Sequence, residues 1–206
     1  MTEKQIRKEL ETIEKDMEAG NNSAKVLNDA GVGYYLLGEL EQSKQYLIRA
    51  VKAEESAAYL FNLANTYSEL NQPDIAIDTY LRALEKNPAH IASLNNLADE
   101  FEKSGDPEKA HELFHYLTHI QPDKAISHFN LGNFFLRQNQ HIEASKCYEK
   151  AIENDPDFTD AYYNIAWLLD KAKAYKESID FVEKGLKTDR THTELSELLE
   201  DLKSKV

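Results

Sequence analysis

A repeat of about 34 residues dominates this sequence and limits the folds that it can adopt. Several columns of chemically similar residues recur at this spacing: Pro88, Pro122 and Pro156; Tyr80, Phe114 and Tyr148; Ala76, Ala110 and Ala144; and Asn62, Asn96, Asn130 and Asn164. A fixed period of this length indicates a stacked array in which each helix–turn–helix unit buries its apolar face against its neighbours. Because such arrays present extended surfaces, the repeat favours a binding function over an enzyme pocket.

The pattern inside one unit predicts two helices. Residues 57–90 contain two apolar stripes at helical spacing. Pro73 opens the second helix, where its missing backbone N–H costs nothing, and Pro88 follows the end of that helix. In the next unit, Gly105 is predicted to end the first helix and Asp106 to cap the second.

Small residues stand where the two helices of a unit should cross closely. They are Ala64, Ala98, Gly132 and Ala166 on the first helices, and Ala76, Ala110, Ala144 and Ser178 on the second helices. Large aromatic residues follow one turn later on the first helices, at Tyr67, Phe101 and Phe135. This alternation of small and large side chains is typical of closely packed helix pairs.

These residues carry a family resemblance. The third unit has Leu94, Leu97, Ala98, Phe101, Gly105, Ala110, Phe114, Leu117 and Pro122, and the fourth has His128, Leu131, Gly132, Phe135, Asn139, Ala144, Tyr148, Ala151 and Pro156. In this pattern the sequence resembles the tetratricopeptide repeat (TPR) family. The resemblance implies an all-α fold, a right-handed superhelical α-solenoid of helix–turn–helix TPR units. We count five units, at 24–56, 57–90, 91–124, 125–158 and 159–192.

The two ends of the chain are predicted to be helical caps. Residues 1–22 form the N-terminal capping helix, with apolar residues at Ile6, Leu10, Ile13 and Met17. Thr191 with Glu194 resembles a capping box ahead of the C-terminal capping helix in 193–206. The expected total is twelve helices. The fifth unit departs from the family pattern, with Gly185 and Arg190 where alanine and proline are expected.

The charge balance limits the classes of partner. Asp and Glu number 37 against 24 Lys and Arg, which gives a formal net charge of −13. That balance disfavours nucleic acid, which needs a basic stripe, and it disfavours an anionic membrane surface. It is compatible with a basic protein or peptide partner, although acidity also serves solubility alone.

The cysteine content and the hydropathy favour a cytoplasmic protein. The single cysteine, Cys147, excludes an intrachain disulfide and fits a reducing compartment. The N-terminal residues have no apolar core of a signal peptide, and no apolar run approaches the ~18 residues of a membrane span. We therefore expect a soluble, cytoplasmic protein without a membrane partner.

The resemblance also implies a binding face. In TPR proteins the first helix of each unit lines a concave groove in which peptides or partner helices lie. Carried over to this chain, the lining residues are Phe61, Asn62, Asn65, Asn95, Asn96, Asp99, Phe129, Asn130, Asn133, Tyr163, Asn164 and Trp167. A column of carboxamides offers donors and acceptors to a peptide backbone, similar to the asparagine ladder of the O-linked N-acetylglucosamine transferases. Asparagine is also common at these positions throughout the family. The alternative interpretation, that these asparagines have no ligand-specific role, therefore stays open.

The aromatic residues of this face allow two interpretations. Phe61, Phe129, Tyr163 and Trp167 could anchor a partner, or they could pack between helices. A further binding mode of the family, a clamp for a C-terminal carboxylate in chaperone-binding members, lacks its cations here. The positions of its later lysine hold Ala92, Ile126 and Asp160, and those of its arginine hold Asn96, Asn130 and Asn164. We therefore do not expect this chain to bind chaperone tails.

Residues with catalytic or metal-binding chemistry do not converge in this sequence. His111, His115 and His119 lie at i, i+4 and i+8 on one helix, where neighbouring pairs could chelate a metal ion, or all three could form a solvated flank. Phosphate-binding loops and paired cysteines are missing. We therefore expect no catalytic residues, no metal, no cofactor and no enzyme activity.

The sequence predicts a non-catalytic protein–protein interaction module, a scaffold that binds a peptide or partner helix in the concave groove. The alternative is a self-assembling structural or adaptor protein, a weak homo-oligomer that associates through its C-terminal cap helix. The residues of that alternative surface are Leu195, Leu198, Leu199, Leu202 and Val206.

Overall fold

The computed structural model describes residues 2–206, and within this range it contains twelve α-helices and no strand. The helices are α1 (Glu3–Glu18), α2 (Ala24–Leu36), α3 (Leu40–Ala53), α4 (Ala57–Glu69), α5 (Pro73–Lys86), α6 (Ile91–Lys103), α7 (Pro107–Ile120), α8 (Ala125–Arg137), α9 (His141–Asn154), α10 (Thr159–Lys171), α11 (Tyr175–Thr188) and α12 (Thr193–Lys203). The predicted all-α helical repeat fold and the twelve predicted helices are confirmed. None of these helices combines the length and the apolar composition that crossing a membrane requires.

The helices group into two units, Met1–Leu113 and Phe114–Val206, whose boundary lies within α7. In the first unit, α1 packs against α2, and α3 and α5 each pack between successive first helices. In the second unit, α9 packs against both α8 and α10, and α12 covers α10 and α11. Each unit is therefore a short stack of helix pairs, with the single helix α1 packed on the first pair and the single helix α12 packed on the last.

The same turn joins the two helices of every pair. The residue two positions before the second helix has a positive φ in each turn, at Gly38 (75°), Asn71 (56°), Gly105 (82°), Asn139 (58°) and Lys173 (61°). In each turn the next N–H returns to a carbonyl of the first helix, as Gln72 N does to Tyr67 O at 2.9 Å. This is the Schellman arrangement, which favours glycine or asparagine at the left-handed residue. Four of the five turns have glycine or asparagine at this position and are encoded locally by the sequence, whereas the fifth has Lys173.

The helix starts also follow the sequence. Pro73 and Pro107 are the first residues of α5 and α7. The side chain of Asp106 accepts a hydrogen bond from Lys109 N at 3.2 Å, which confirms the predicted cap. The predicted capping box of Thr191 and Glu194 is wrong. The N-cap of α12 is His192, whose Nδ1 accepts from Leu195 N at 3.3 Å.

Thr191 does not cap the helix because it is hydrogen-bonded to Asp189. Both its backbone N and its Oγ1 donate to Asp189 Oδ1, at 2.8 and 2.7 Å. Such a turn bends the chain one residue before the helix can start, so the imidazole of His192 replaces the hydroxyl as the cap.

The small residues lie at the helix crossings, as predicted. Ala64, Ala76, Ala98, Ala110, Ala144, Ala166 and Ser178 are fully buried. A Cβ atom on Gly132 would lie 2.6 Å from Cε1 of Tyr148, so this first helix approaches the second too closely even for alanine without a shift of the ring. These close crossings keep the first helices in fixed register, which positions the residues on their exposed sides.

Candidate functional site

The twelve predicted binding residues all lie on first helices and are all partly exposed. In the first unit, α4 carries Phe61, Asn62 and Asn65, and α6 carries Asn95, Asn96 and Asp99. In the second unit, α8 carries Phe129, Asn130 and Asn133, and α10 carries Tyr163, Asn164 and Trp167. The predicted face therefore occurs as two sets, one in each unit.

In the first unit, two asparagines and a tyrosine form a hydrogen-bonded network. Oδ1 of Asn65 accepts from the hydroxyl of Tyr80 at 2.6 Å and from Nδ2 of Asn96 at 2.8 Å. The ring of Tyr80 is buried on α5, and this burial raises the pKa of its hydroxyl, which therefore stays protonated and donates. The network links α4, α5 and α6.

The second unit repeats this network two repeats further along the chain. Oδ1 of Asn133 accepts from the hydroxyl of Tyr148 at 2.8 Å and from Nδ2 of Asn164 at 3.2 Å. Tyr148 is fully buried on α9, and burial raises its pKa as well. We call each set a Tyr–Asn–Asn network; the two consist of Tyr80, Asn65 and Asn96, and of Tyr148, Asn133 and Asn164.

Each network leaves one amide donor and one carbonyl acceptor unused. Asn65 Nδ2 and Asn96 Oδ1 make no hydrogen bond to any described residue, and the same is true of Asn133 Nδ2 and Asn164 Oδ1. Because the other half of each carboxamide is fixed, these unused groups have defined orientations. They can offer a donor and an acceptor to the main chain of a ligand. Because the side chains are already oriented, binding costs little further conformational entropy.

The remaining polar residues of the face show a more varied pattern. Nδ2 of Asn62 donates to Oδ1 of Asn28 on α2 at 2.8 Å, which extends the chain of carboxamides to the first pair. Nδ2 of Asn95 donates to the Ile91 carbonyl of its own helix at 3.1 Å. Asn130 and Asp99 also have interactions within the chain.

The aromatic residues are wedged between helices while one side of each stays exposed. The ring of Phe61 lies 6.2 Å from that of Tyr80 and 5.3 Å from that of His90. The ring of Phe129 lies 5.5 Å from Tyr148 and 4.9 Å from Phe158. Packing between helices therefore accounts for most of the surface of the two phenylalanines.

Tyr163 and Trp167 lie toward the C-terminal end of the chain. The ring of Tyr163 stacks on His192, the residue that caps α12, with 6.2 Å between centroids. Trp167 is half-buried, and the ammonium group of Lys171 lies 5.1 Å from the centre of its ring. This cation–π contact holds the indole in place at the end of the asparagine column.

Sequence reasoning missed two groups of residues here. It assigned Tyr80 and Tyr148 to the core alone, although their hydroxyls orient the asparagines. The available signal was that the second helix holds tyrosine in the two units with Asn65 and Asn133, and phenylalanine in the unit that has Asp99 at the same position. It also missed Glu100, a carboxylate on the buried side of α6 that borders a polar pocket of about 180 Å³.

A larger groove of about 720 Å³ lies between α1 and α2. Its lining is mainly apolar and includes Ile6, Leu10, Ile13, Val32 and Leu36. The predicted face does not include these residues, because sequence analysis treated α1 only as a cap.

The three histidines of α7 are exposed or half-buried, whereas burial dominates the surroundings of Cys147. His115 and His119 are exposed and His111 is half-buried. Within residues 2–206, no three His, Cys, Asp or Glu side chains are arranged to hold a metal ion. Burial raises the pKa of Cys147 to about 11, with a smaller effect from the charge of Glu143, so the thiol is protonated at neutral pH.

The apolar residues of the C-terminal cap helix are turned inward. Leu195 and Leu202 are fully buried and pack in one cluster with Ala166 and Val182. Leu198 and Leu199 are half-buried against the same cluster, and Val206 is exposed. Leu195 and Leu202 are therefore not available to a second copy, because α12 uses them to cover the last repeat.

Comparison with known families agrees with this architecture. Three family models described as tetratricopeptide repeat match residues 57–90, 79–112, 125–158 and 147–180. These matches together span 57–112 and 125–180, just over half of the chain. The chain belongs to the tetratricopeptide repeat family.

A curated relative and two solved structures are similar to this chain. The anaphase-promoting complex subunit CDC16 of Saccharomyces cerevisiae is 34% identical over 74 residues, which cover 32% of this chain and 9% of that protein. The match thus spans a small part of that relative's length. The C-terminal part of a TPR repeat-containing protein from Cytophaga hutchinsonii has a TM-score of 0.72 at 16% identity, covering 89% of this chain and 74% of its own.

The second structure is that of YrrB, a TPR protein with an unusual peptide-binding site. It has a TM-score of 0.61 at 17% identity and covers 91% of this chain and 97% of its own. At these identities the two structures show a shared fold. Together with family membership, they support a protein-interaction scaffold in general terms.

Proposed function

We propose that this chain is a non-catalytic scaffold that binds an extended peptide or partner helix. The ligand lies on the first-helix face, which we define as the surface formed by the twelve predicted binding residues. The observation that carries the proposal is the Tyr–Asn–Asn network, which occurs once in each unit with the same donors and acceptors. In each network the tyrosine hydroxyl and the second asparagine hold the carbonyl oxygen of the first asparagine, so its free amide group points in a defined direction.

The proposed recognition is of the peptide backbone. In each network one amide NH2 group and one carbonyl remain for a ligand, and an extended main chain can pair with both. Since the buried tyrosine and the neighbouring asparagine already hold these groups, binding loses little side-chain entropy. YrrB, a protein of the same fold, has a peptide-binding site, which supports this class of ligand.

The half-buried indole of Trp167 supplies a candidate anchor. Aromatic side chains with one face exposed and one face packed contribute strongly to many protein interfaces. The contact with Lys171 fixes the ring, so a partner side chain meets a rigid surface. We further propose a cytoplasmic location, which the single cysteine and the acidic composition support.

The proposal is tested by comparing wild type with the Asn133→Ala/Asn164→Ala double variant. A partner is first captured from lysate and identified by mass spectrometry, and its binding segment is then titrated calorimetrically as a synthetic peptide. Loss of the carboxamides should weaken binding by about tenfold or more while the helical circular dichroism spectrum is retained.

The matched control is Lys146→Ala/Lys150→Ala, two exposed positions on the second helix α9 of the same pair. The control should bind like wild type. Equal affinity of wild type and the asparagine variant would exclude the first-helix face of the second unit as the binding site.

A further inference from the structure

The first unit contains a polar pocket that adjoins its Tyr–Asn–Asn network. This pocket, of about 180 Å³, has room for a few water molecules or for the end of one side chain. Its lining consists of Tyr35, Asn65, Ser68, Glu69, Tyr80, Asn96, Asp99, Glu100 and Lys103. A peptide backbone bound to Asn65 and Asn96 would therefore pass over its mouth. The inference below rests on the proposed function in this respect.

Glu100 is the unusual residue of this pocket. It is 4% exposed, on the face of α6 that turns toward the core. The corresponding positions of the neighbouring units hold Thr66, Phe134 and Leu168, which are all buried. An apolar side chain therefore suffices for packing at this position. A carboxylate here costs desolvation free energy, which the fold alone does not require.

The two carboxylate oxygens of Glu100 differ in their surroundings. Oε1 accepts from the hydroxyl of Ser68 at 2.6 Å and from the ammonium group of Lys103 at 2.9 Å. Oε2 accepts no hydrogen bond from any described residue. Among those residues no fully enclosed side-chain oxygen lacks a partner, so Oε2 is not fully enclosed, and the side chain of Glu100 lines the pocket. One half of a buried carboxylate is thus anchored, and the other half is presented to a ligand.

The charges around the pocket are predominantly negative. Glu69, Asp99 and Glu100 line it together with one cation, Lys103. The other units do not repeat this acidity. The position of Glu69 holds Lys103, Arg137 and Lys171 in the later units, and the position of Asp99 holds Asn65 and Asn133 in its neighbours. The excess of carboxylates is therefore specific to this pocket and complements a positive charge.

We propose that this pocket receives a cationic side chain, arginine or lysine, of a peptide bound on the first-helix face. Oε2 of Glu100 and the carboxylates of Glu69 and Asp99 supply the negative charge, while the free groups of Asn65 and Asn96 remain for the peptide backbone. A guanidinium carries five N–H donors in one plane, which suits a pocket lined by several separate oxygens. Recognition of the backbone by the network and of a basic side chain by the pocket would together fix the register of the peptide.

The experiment uses small probes, so that it does not depend on knowing the natural peptide. N-acetyl-L-arginine amide and N-acetyl-L-lysine amide are titrated into the full chain at constant ionic strength, and binding is followed by ¹H–¹⁵N correlation spectra. N-acetyl-L-citrulline amide, which has the shape of the arginine probe without its charge, is the ligand control. Saturable shifts at the amides of Asn65, Asn96 and Glu100 with the cationic probes alone are expected.

Two variants introduce residues that other units carry at the same positions, and for this reason they should fold. Glu69→Lys and Asp99→Asn should each weaken binding of the arginine probe by about tenfold, the effect of losing one charged contact. Glu85→Lys makes the same charge reversal as Glu69→Lys on the exposed side of α5, and it should leave binding unchanged.

Two outcomes would overturn the proposal. One is an equal loss of binding in Glu85→Lys, which would show a response to net charge alone. The other is the absence of saturable shifts at the pocket. Since the probes lack an extended backbone, either outcome leaves peptide binding by the asparagines to be judged by its own titration.

Discussion

At the scale of single residues, the pairing of tyrosine with asparagine separates what packing requires of a side chain from what orients a neighbouring carboxamide. Tyr80 and Tyr148 fill the same core position as Phe114, so the ring is what packing requires. The hydroxyl adds one hydrogen bond to an asparagine on the preceding helix. Where the core position holds phenylalanine, the first-helix position holds Asp99 instead of asparagine.

The Tyr148→Phe substitution should separate the role of the hydroxyl from that of the ring. It removes the hydrogen bond to Asn133 and keeps the packing, so the free energy of unfolding should fall by about 1 kcal/mol. Urea denaturation of this variant, of Asn133→Ala and of the double variant gives the coupling between the two residues. Tyr116→Phe, at an exposed tyrosine of α7, is the matched control. A coupling of zero would contradict the network.

At the scale of helices, close crossings set the register of the face. Ala144 on α9 is fully buried in the cluster that contains Ala125 and Ile165. Gly132 on α8 leaves no room for a Cβ beside the ring of Tyr148. Because the backbone of Gly132 lies directly against the side chains of Tyr148 and Cys147, an increase in volume at this crossing must move one helix relative to the other.

The Ala144→Leu substitution tests this crossing. Overpacking should lower the free energy of unfolding by roughly 1–3 kcal/mol, measured as a lower midpoint in chemical denaturation. Glu149→Leu, which adds an apolar side chain at an exposed position of the same helix, should change stability by less than about 0.5 kcal/mol. An unchanged midpoint for Ala144→Leu would mean that α8 and α9 do not meet at this residue.

At the scale of the whole molecule, α1 and α12 cover the apolar surfaces of the first and last helix pairs. Ile6 and Leu10 of α1 pack in one cluster with Ala30 of the first pair. Leu195 and Leu202 of α12 pack with Val182 in the last pair. An array of repeats needs such caps because its terminal units would otherwise expose the apolar faces that inner units bury. The net charge of −13 further opposes association between copies.

Removal of residues 191–206 should therefore increase association between chains instead of abolishing it. The truncation uncovers Val182 and Ala166, which are fully buried under α12. An exposed apolar patch of this kind promotes aggregation, which multi-angle light scattering would show as a higher average mass. Val206→Ser, at the exposed end of the helix, should leave the mass unchanged. A lower mass after truncation would instead support association through α12.

Much of the fold followed from local sequence patterns. The apolar periodicity gave the helices, the prolines marked their ends, and Asn71 and Gly105 marked the turns, because each of these signals acts within a few residues. The cap of α12 was misplaced for the same reason. Thr191 and His192 are both able to cap a helix, and the turn at Asp189 decides between them.

The binding face was less predictable than the fold. The sequence by itself determined the repeat, the helices and the columns of asparagine, because periodicity along the chain fixes which residues share a helix face. Only the tertiary structure decided that Tyr80 and Tyr148 orient those asparagines and that Glu100 presents one carboxylate oxygen to a pocket. The same packing turned the apolar residues of α12 inward. These contacts join separate helices, and the direction of each polar atom depends on how closely the helices approach one another.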